Sequence, residues 1–357
     1  MQKKLSVEVV YEFMIKVFKE LGVPEDEAKI CADVLITSDL SGIESHGIGR
    51  LKMYYDRIKA GIQSSTTNIE VVADKGATAV WDGNHGMGHV IGHRAMQKAI
   101  DKAKEFGLGS VAVRNSTHYG ICGYYAKMAI KQGMIGITFS NARPSIAPLF
   151  GVTPLLGTNP ICFGAPTDLD YPFLYDAATS ITQRGKIEVL ARENKETPEG
   201  WAIDSKGKTH TDTDKLLVDL TKGAASLLSI GGENETTGGH KGYGLATMVE
   251  ILCAALQNGS YLSQLTGQDE NGNPTPYSLG HFFMAINIEY FIDLNVFKKI
   301  VGNIIRQLKN SEKSDGYDHI YVAGEKEYDN ELRVRREGVP ITDKLMRNMI
   351  EMGYTQN

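Results

Sequence analysis

A short apolar run, Gly109-Ser110-Val111-Ala112-Val113, passes directly into Arg114-Asn115-Ser116-Thr117-His118-Tyr119-Gly120, and a helical pattern follows from Ile121 to Ile130. The run is brief, rich in β-branched residues and bounded by polar ones, which predicts a buried strand. A helix over 89–106 precedes it and a strand over 135–140 follows, so the chain alternates as α/β proteins do. His118 then stands where a strand hands over to a helix, the edge at which open α/β sheets take their ligands. Imidazole titrates near neutrality and can move a proton there. Position alone equally allows a histidine that only caps the next helix.

The chain is long enough for more than one such unit. Its 357 residues, 42% hydrophobic with a net charge of -5, suit a globular protein with a sizeable core. The mild acidity argues against a nucleic-acid partner. Cys31, Cys122, Cys162 and Cys253 are scattered among apolar neighbours with no Cys-x-x-Cys pair, which reads as buried thiols in the cytoplasm. The first residues have the basic start of a signal peptide, but Glu8, Glu12 and Lys16 interrupt its apolar body. No uncharged apolar run reaches roughly 18 residues, so no membrane association is expected.

Taken in order, the first 60 or so residues read as three helices: one over 7–21 capped by Ser6, one from Pro24 to Leu40, and one over 47–60. Strands are expected at 67–73 and 77–81. Prolines punctuate 144–172 around a short strand at 161–163, and 201–211 reads as a hairpin. A glycine-rich loop, Gly238 to Gly244, leads into a helix over 245–256. The polar segment 258–280 reads as a surface excursion. A strand at 282–291, a helix at 295–309, a strand at 319–323 and a last helix at 342–352 complete the pattern.

Three further groupings carry chemistry. Ser45-His46-Gly47 opens a helix, where free N–H groups favour an anion, and Arg50 one turn on can fork onto a carboxylate. In Gly238-Gly239-His240-Lys241-Gly242-Tyr243-Gly244 the glycines admit a ligand close to the backbone and Lys241 adds a charge, which suits a phosphate. Gly86-Met87-Gly88-His89-Val90-Ile91-Gly92 has the wrong spacing for a dinucleotide fingerprint. The recurrence of His85, His89 and His93 at intervals of four suggests, as an alternative, the zinc site of a hydrolase or lyase. Asp176, after Phe173-Leu174-Tyr175, is either a cap or an acceptor for a ribose hydroxyl.

Together these motifs resemble the malate/L-lactate dehydrogenase family of the second, non-Rossmann type, which includes ureidoglycolate, sulfolactate and cyclic-imine reductases. The elements occur in order: Ser45-His46-Gly47 with Arg50, Ser116-Thr117-His118, Gly157-Thr158-Asn159-Pro160, Asp176-Ala177-Ala178-Thr179, Gly200-Trp201-Ala202-Ile203-Asp204 and Gly239-His240-Lys241-Gly242-Tyr243-Gly244. The chain departs from the family pattern around 228–240 and 258–280. The resemblance implies a homodimer with a helical domain, 1–65 joined by about 292–357, and a mixed-sheet nicotinamide-binding domain, 66–291. It implies His118 as acid/base, with Ser45, His46, Arg50, Tyr54 and Thr158 holding substrate. It further implies cofactor contacts from Ser140, Asn141, Ala142, Asp176, Ala177, Ala178, His240, Lys241, Gly242, Gly324, Glu325 and Lys326, no metal, and NAD or NADP as cofactor. Malate, with a protonated His46 meeting its second carboxylate, is the expected 2-hydroxy acid; lactate, sulfolactate, ureidoglycolate or a cyclic imine are alternatives.

Overall fold

The computed structural model describes residues 3–355. Residues 1–2 and 356–357, the outermost of the expected helical domain, lie outside the described residues. The strands are β1 (Lys3–Leu5), β2 (Glu70–Lys75), β3 (Thr78–Asp82), β4 (Leu108–Ser116), β5 (Met134–Ser140), β6 (Ile161–Ala165), β7 (Phe173–Ala177), β8 (Ala202–Asp204), β9 (Ala225–Leu227), β10 (Leu279–Asn287) and β11 (Val339–Ile341). The helices are α1 (Val7–Glu20), α2 (Glu25–Leu40), α3 (Leu51–Lys59), α4 (Gly88–Phe106), α5 (Cys122–Ile130), α6 (Arg184–Arg192), α7 (Thr213–Lys222), α8 (Gly239–Ala254), α9 (Leu294–Lys309), α10 (Glu325–Glu337) and α11 (Asp343–Glu351).

Seven strands form the central sheet in the order β2-β3-β4-β10-β5-β6-β7. Only β3 and β4 pair in parallel. The α/β alternation from β4 through α5 to β5 is present, but β10 inserts antiparallel between those two strands. The sheet is therefore mixed, and the strand that completes its centre arrives from far along the chain. Both faces are covered, which is why β4 reads as continuously apolar. Val111 and Val113 face α4 and α5, packing with Met96, Ile100, Tyr125 and Phe283. Ala112 faces the other way, with Phe139 and Phe282, towards Val249 and Cys253 of α8. Each large side chain so buried contributes about 1.5–3 kcal/mol.

Around the sheet, α1 begins where Ser6 accepts the Val9 N–H at 3.2 Å and gives way at Gly22, whose φ of 84° suits glycine. The apolar stripe of α1 packs with α2, α3, Val334, Ile341 and Met349 into one cluster, so the two ends of the chain share a core. A smaller core joins Ile146 and Leu156 to Ile187, Leu216 and Leu227. No helix among the described residues is long and apolar enough to cross a membrane.

The hairpin at 201–211 is present in short form, with Asp204 N–H donating to the Lys208 carbonyl at 2.8 Å and an antiparallel bridge between Ile203 and Thr209, and β8 pairs with β9 as well. Other expectations need correction. Residues 319–323 form no strand, and α10 follows them unannounced because nine of its 13 residues are charged. The glycines from 239 to 244 are not a loop before a helix but the first turns of α8 itself.

Candidate active site

Three neighbours fix the loop that follows β4. The Thr117 hydroxyl accepts the Gly88 N–H and donates to the Gly86 carbonyl, both at 2.9 Å. A Cβ on Gly88 would run into the carbonyl oxygens of Thr117 and His118. The near-miss fingerprint glycine thus serves close packing of a helix against this loop. The third neighbour is His281 of β10, which the sequence reading passes over. Its Nε2 lies 2.8 Å from Ser116 Oγ and 3.2 Å from the Thr117 carbonyl, its Nδ1 lies 2.9 Å from Ser140 Oγ, and its ring stacks on Tyr119. A carbonyl only accepts, so Nε2 carries the hydrogen. Burial lowers the His281 pKa to about 3, which keeps the ring neutral.

The turn before α3 supplies the other wall. Buried Asp39 accepts the Ile48 N–H at 2.8 Å, and its desolvation raises the carboxyl to about 7. From that turn Arg50, Tyr54 and Arg57 follow at intervals of four and three, along one face of the helix. Tyr54 is fully buried, with its hydroxyl 2.5 Å from His118 Nδ1. The Gly120 N–H approaches the same nitrogen at 3.3 Å. His46 stacks on His118 with ring centroids 5.5 Å apart, and the Ser45 hydroxyl lies 2.8 Å from His46 Nδ1. The Arg50 Nε–H donates to the Ser45 carbonyl at 2.7 Å. Ser45, His46, Arg50, Tyr54 and His118 are therefore brought together from two elements more than 60 residues apart in sequence.

Of these, Arg50 and His118 line a cleft of about 430 Å³, together with Arg57, Ala142, Thr158 and Tyr277, among others. Nδ1 of His118 is occupied within the protein, which leaves Nε2 for a ligand. Burial first, then neighbouring His46 and the Arg50 guanidinium, which oppose a second positive charge, hold the His118 pKa well below the ordinary 6.5, so the ring rests neutral. Burial, then Arg50, lowers His46 to about 4. His46 is therefore neutral in the ligand-free site. The cations lining the cleft are guanidiniums.

The residues expected at a cofactor fall into separate places. Ser140 and Asn141 are buried. Asn141 Nδ2 donates to the Ser260 carbonyl at 3.2 Å and its Oδ1 accepts the Gly280 N–H at 2.8 Å, so its side chain is structural. Asp176 is half-buried at the end of β7. One carboxylate oxygen accepts the Gly123 N–H at 2.7 Å, and desolvation raises its pKa to about 6. Asp176 shares a small groove with Ile121, Lys127 and Glu327, and Gly324 borders the next. The backbone of Gly324 sits where any Cβ would meet the Pro172 carbonyl. The Glu325 carboxylate is already engaged by Lys309 at 2.5 Å and His319 at 2.9 Å, and Lys326 lies over the Tyr321 ring. His240 and Lys241 are exposed in the first turn of α8 and make no side-chain hydrogen bond with any described residue, while Gly242 packs against Ile230.

The three spaced histidines do not converge. His85 lies before α4 in a left-handed turn (φ 57°), so the interval of four is not helical there, and its Nδ1 contacts the Tyr277 carbonyl at 3.0 Å. His89 is sealed between Tyr54 and Phe18, and His93 lies 2.9 Å from the Tyr124 hydroxyl. No group of three His, Cys, Asp or Glu suited to a metal occurs among the described residues.

A family model described as malate/L-lactate dehydrogenase matches residues 5–350. A malate dehydrogenase from Pyrococcus abyssi is 43% identical over 349 residues, covering 98% of this chain and 94% of the relative. An L-sulfolactate dehydrogenase from Methanocaldococcus jannaschii is 40% identical over 342 residues, covering 96% and 94%. The crystal structure of malate dehydrogenase from Entamoeba histolytica superposes with a TM-score of 0.95 at 43% identity, covering 99% and 97%. The chain belongs to the malate/L-lactate dehydrogenase family.

Proposed function

We propose that the protein interconverts a small 2-hydroxy acid, malate before others, and its 2-oxo acid with a nicotinamide cofactor. The observation that carries this reading is the Tyr54–His118 contact beside Arg50 in one cleft. Nδ1 of His118 is held by the Tyr54 hydroxyl and accepts the Gly120 N–H, so Nε2 is the nitrogen that faces the substrate; in the tautomer that leaves it free it takes the proton of the substrate hydroxyl as the C2–H leaves as hydride. Arg50 is one residue with no carboxylate partner of its own, so its fork is available to the substrate C1 carboxylate. Thr158 and Ala142 bound the same cleft. The low affinity of His118 for a proton keeps it ready as a base in the oxidative direction. In the reductive direction the protonated form is required, so that rate rises as pH falls.

The residues fit a dinucleotide. The N-terminus of α8 offers glycine backbone and the unpaired cation of Lys241 to a diphosphate, and Asp176 has one carboxylate oxygen free for a ribose hydroxyl. The cofactor, when bound, supplies the hydride acceptor. An acidic acceptor at 176 favours NAD. Lys127 and Lys131, which line the groove beside Gly324, favour NADP as a second reading.

We further infer a homodimer and a cytoplasmic setting. Exposed apolar side chains support the first: Leu245, Met248 and Ile251 on α8, and Val296, Ile300, Ile304 and Leu308 at intervals of four on α9. Four buried free thiols support the second. A helical unit of 1–65 with 292–357 against a 66–291 unit remains our reading of the domains. The test of the function is absorbance at 340 nm across a panel of 2-oxo acids with NADH and with NADPH; no oxidation with any of them overturns it.

A further inference from the structure

We propose that Arg57 is the residue that selects substrates with a second acidic group, and that Tyr277 positions it. The inference rests on the 2-hydroxy-acid reading and names the part of the chain that reads the far end of that substrate. Three observations carry it. Arg57 lies on the same face of α3 as Arg50 and Tyr54, two turns along, which is roughly 10 Å on the helix axis. It lines the same cleft as Arg50 and His118. Its guanidinium has no ion pair with any described residue; it lies over the Tyr277 ring, 4.6 Å from the centroid.

A cation in a shared cleft without a counter-ion calls for an anionic ligand. Of the four arginines that line this cleft, Arg50 and Arg57 lie along one helical face with Tyr54, Arg143 follows β5, and Arg184 is paired with Glu188. Arg50 serves the carboxylate next to the reacting carbon. Arg57, reached by a side chain several ångströms long, serves a carboxylate or sulfonate one carbon beyond it. The stacking matters because a free arginine loses rotamer entropy on binding, and a ring beneath it removes part of that cost.

Tyr277 belongs to the 258–280 segment, the polar stretch that departs from the family pattern. It is no idle excursion: His85 Nδ1 lies 3.0 Å from the Tyr277 carbonyl, and the ring packs where Gly267 leaves room. The segment thereby returns two cleft-lining residues, Tyr277 and Leu279. Acid selection is then a property of α3 and of the 258–280 segment, separable from proton transfer at His118.

The test is steady-state kinetics with saturating NADH on oxaloacetate, 2-oxobutyrate and pyruvate, for the wild type, Arg57→Leu, Arg57→Lys and Tyr277→Leu. Wild type must prefer oxaloacetate to 2-oxobutyrate, which has the same chain with a methyl in place of the acid. Arg57→Leu should raise KM for oxaloacetate roughly 10–100-fold while retaining the larger part of its pyruvate kcat/KM. Arg57→Lys should recover part of the preference, and Tyr277→Leu should cost about two- to fivefold, again on oxaloacetate alone. The pyruvate rate doubles as a check on folding, and the wild-type comparison needs no variant at all. Equal losses on oxaloacetate and pyruvate, or a wild type indifferent to the second acid, overturn this inference and leave the 2-hydroxy-acid reading intact. Silence with every 2-oxo acid, with NADH and with NADPH alike, overturns both.

Discussion

The two ends of the site are built in opposite ways. The proton-transfer end is assembled before any ligand arrives: Tyr54 on His118, His46 stacked upon it, Ser45 on His46, and His281 bracing the loop from behind. The groups proposed for the nucleotide are dispersed over the end of β7, the turn before α10 and the start of α8, and Lys241 waits exposed with no partner among the described residues. Rigid packing suits a group whose proton must move along a fixed line. A long, charged ligand is better met by scattered groups, each worth little until the ligand ties them together.

That contrast predicts losses of different kinds at the two ends. His118→Ala should give the largest effect, a fall in turnover of about 10²–10⁴-fold, with NADH affinity measured by fluorescence titration unchanged. Loss of both together would mean the ends are not separable. Arg50→Lys should come next, raising KM for the 2-oxo acid roughly 10–100-fold because a point charge cannot reproduce a bidentate fork; an unchanged KM removes Arg50 from the site. Lys241→Ala should be milder and opposite in character. It should weaken NADH binding about tenfold, the worth of one charged contact, and leave kcat at saturating cofactor nearly intact.

The same contrast explains what can be read without a structure. The His118 junction is legible because a buried strand, a polar turn and a helix leave a strong local pattern, and Ser45, His46 and Arg50 share a recognisable motif at a helix start. His281 is not legible: it sits in an apolar strand whose place at the centre of the sheet depends on pairing with residues about 140 to 180 positions away. Arg57 is hidden for another reason. Among Lys52, Asp56 and Lys59 it looks like one more solvated charge, and only the direction of α3 distinguishes it. The helix α10 is masked by its own composition, with Glu325 and Val334 its buried positions.

The smallest expected effect on catalysis, and the sharpest on stability, concerns His89. Neither ring nitrogen has a hydrogen-bond partner, and desolvation lowers the pKa to about 3. The unfolded chain takes up a proton at this residue below about 6.5, whereas the folded protein does not until far lower. Its contribution is therefore complete above 6.5 and is lost progressively as pH falls from 6.5 towards 3. Replacing it with an apolar side chain of similar size removes that slope. His89→Leu should then gain on the wild type by about 1.4 kcal/mol for each pH unit below 6.5, or about 2 kcal/mol by pH 5. Urea unfolding at pH 7, 6 and 5 measures the difference directly, and whatever offset the substitution carries at pH 7 drops out of the comparison. Parallel curves for the two proteins would mean that His89 finds a proton or a partner in the folded state. The dry wall behind Tyr54, and with it the depressed proton affinity of His118, would then need another origin.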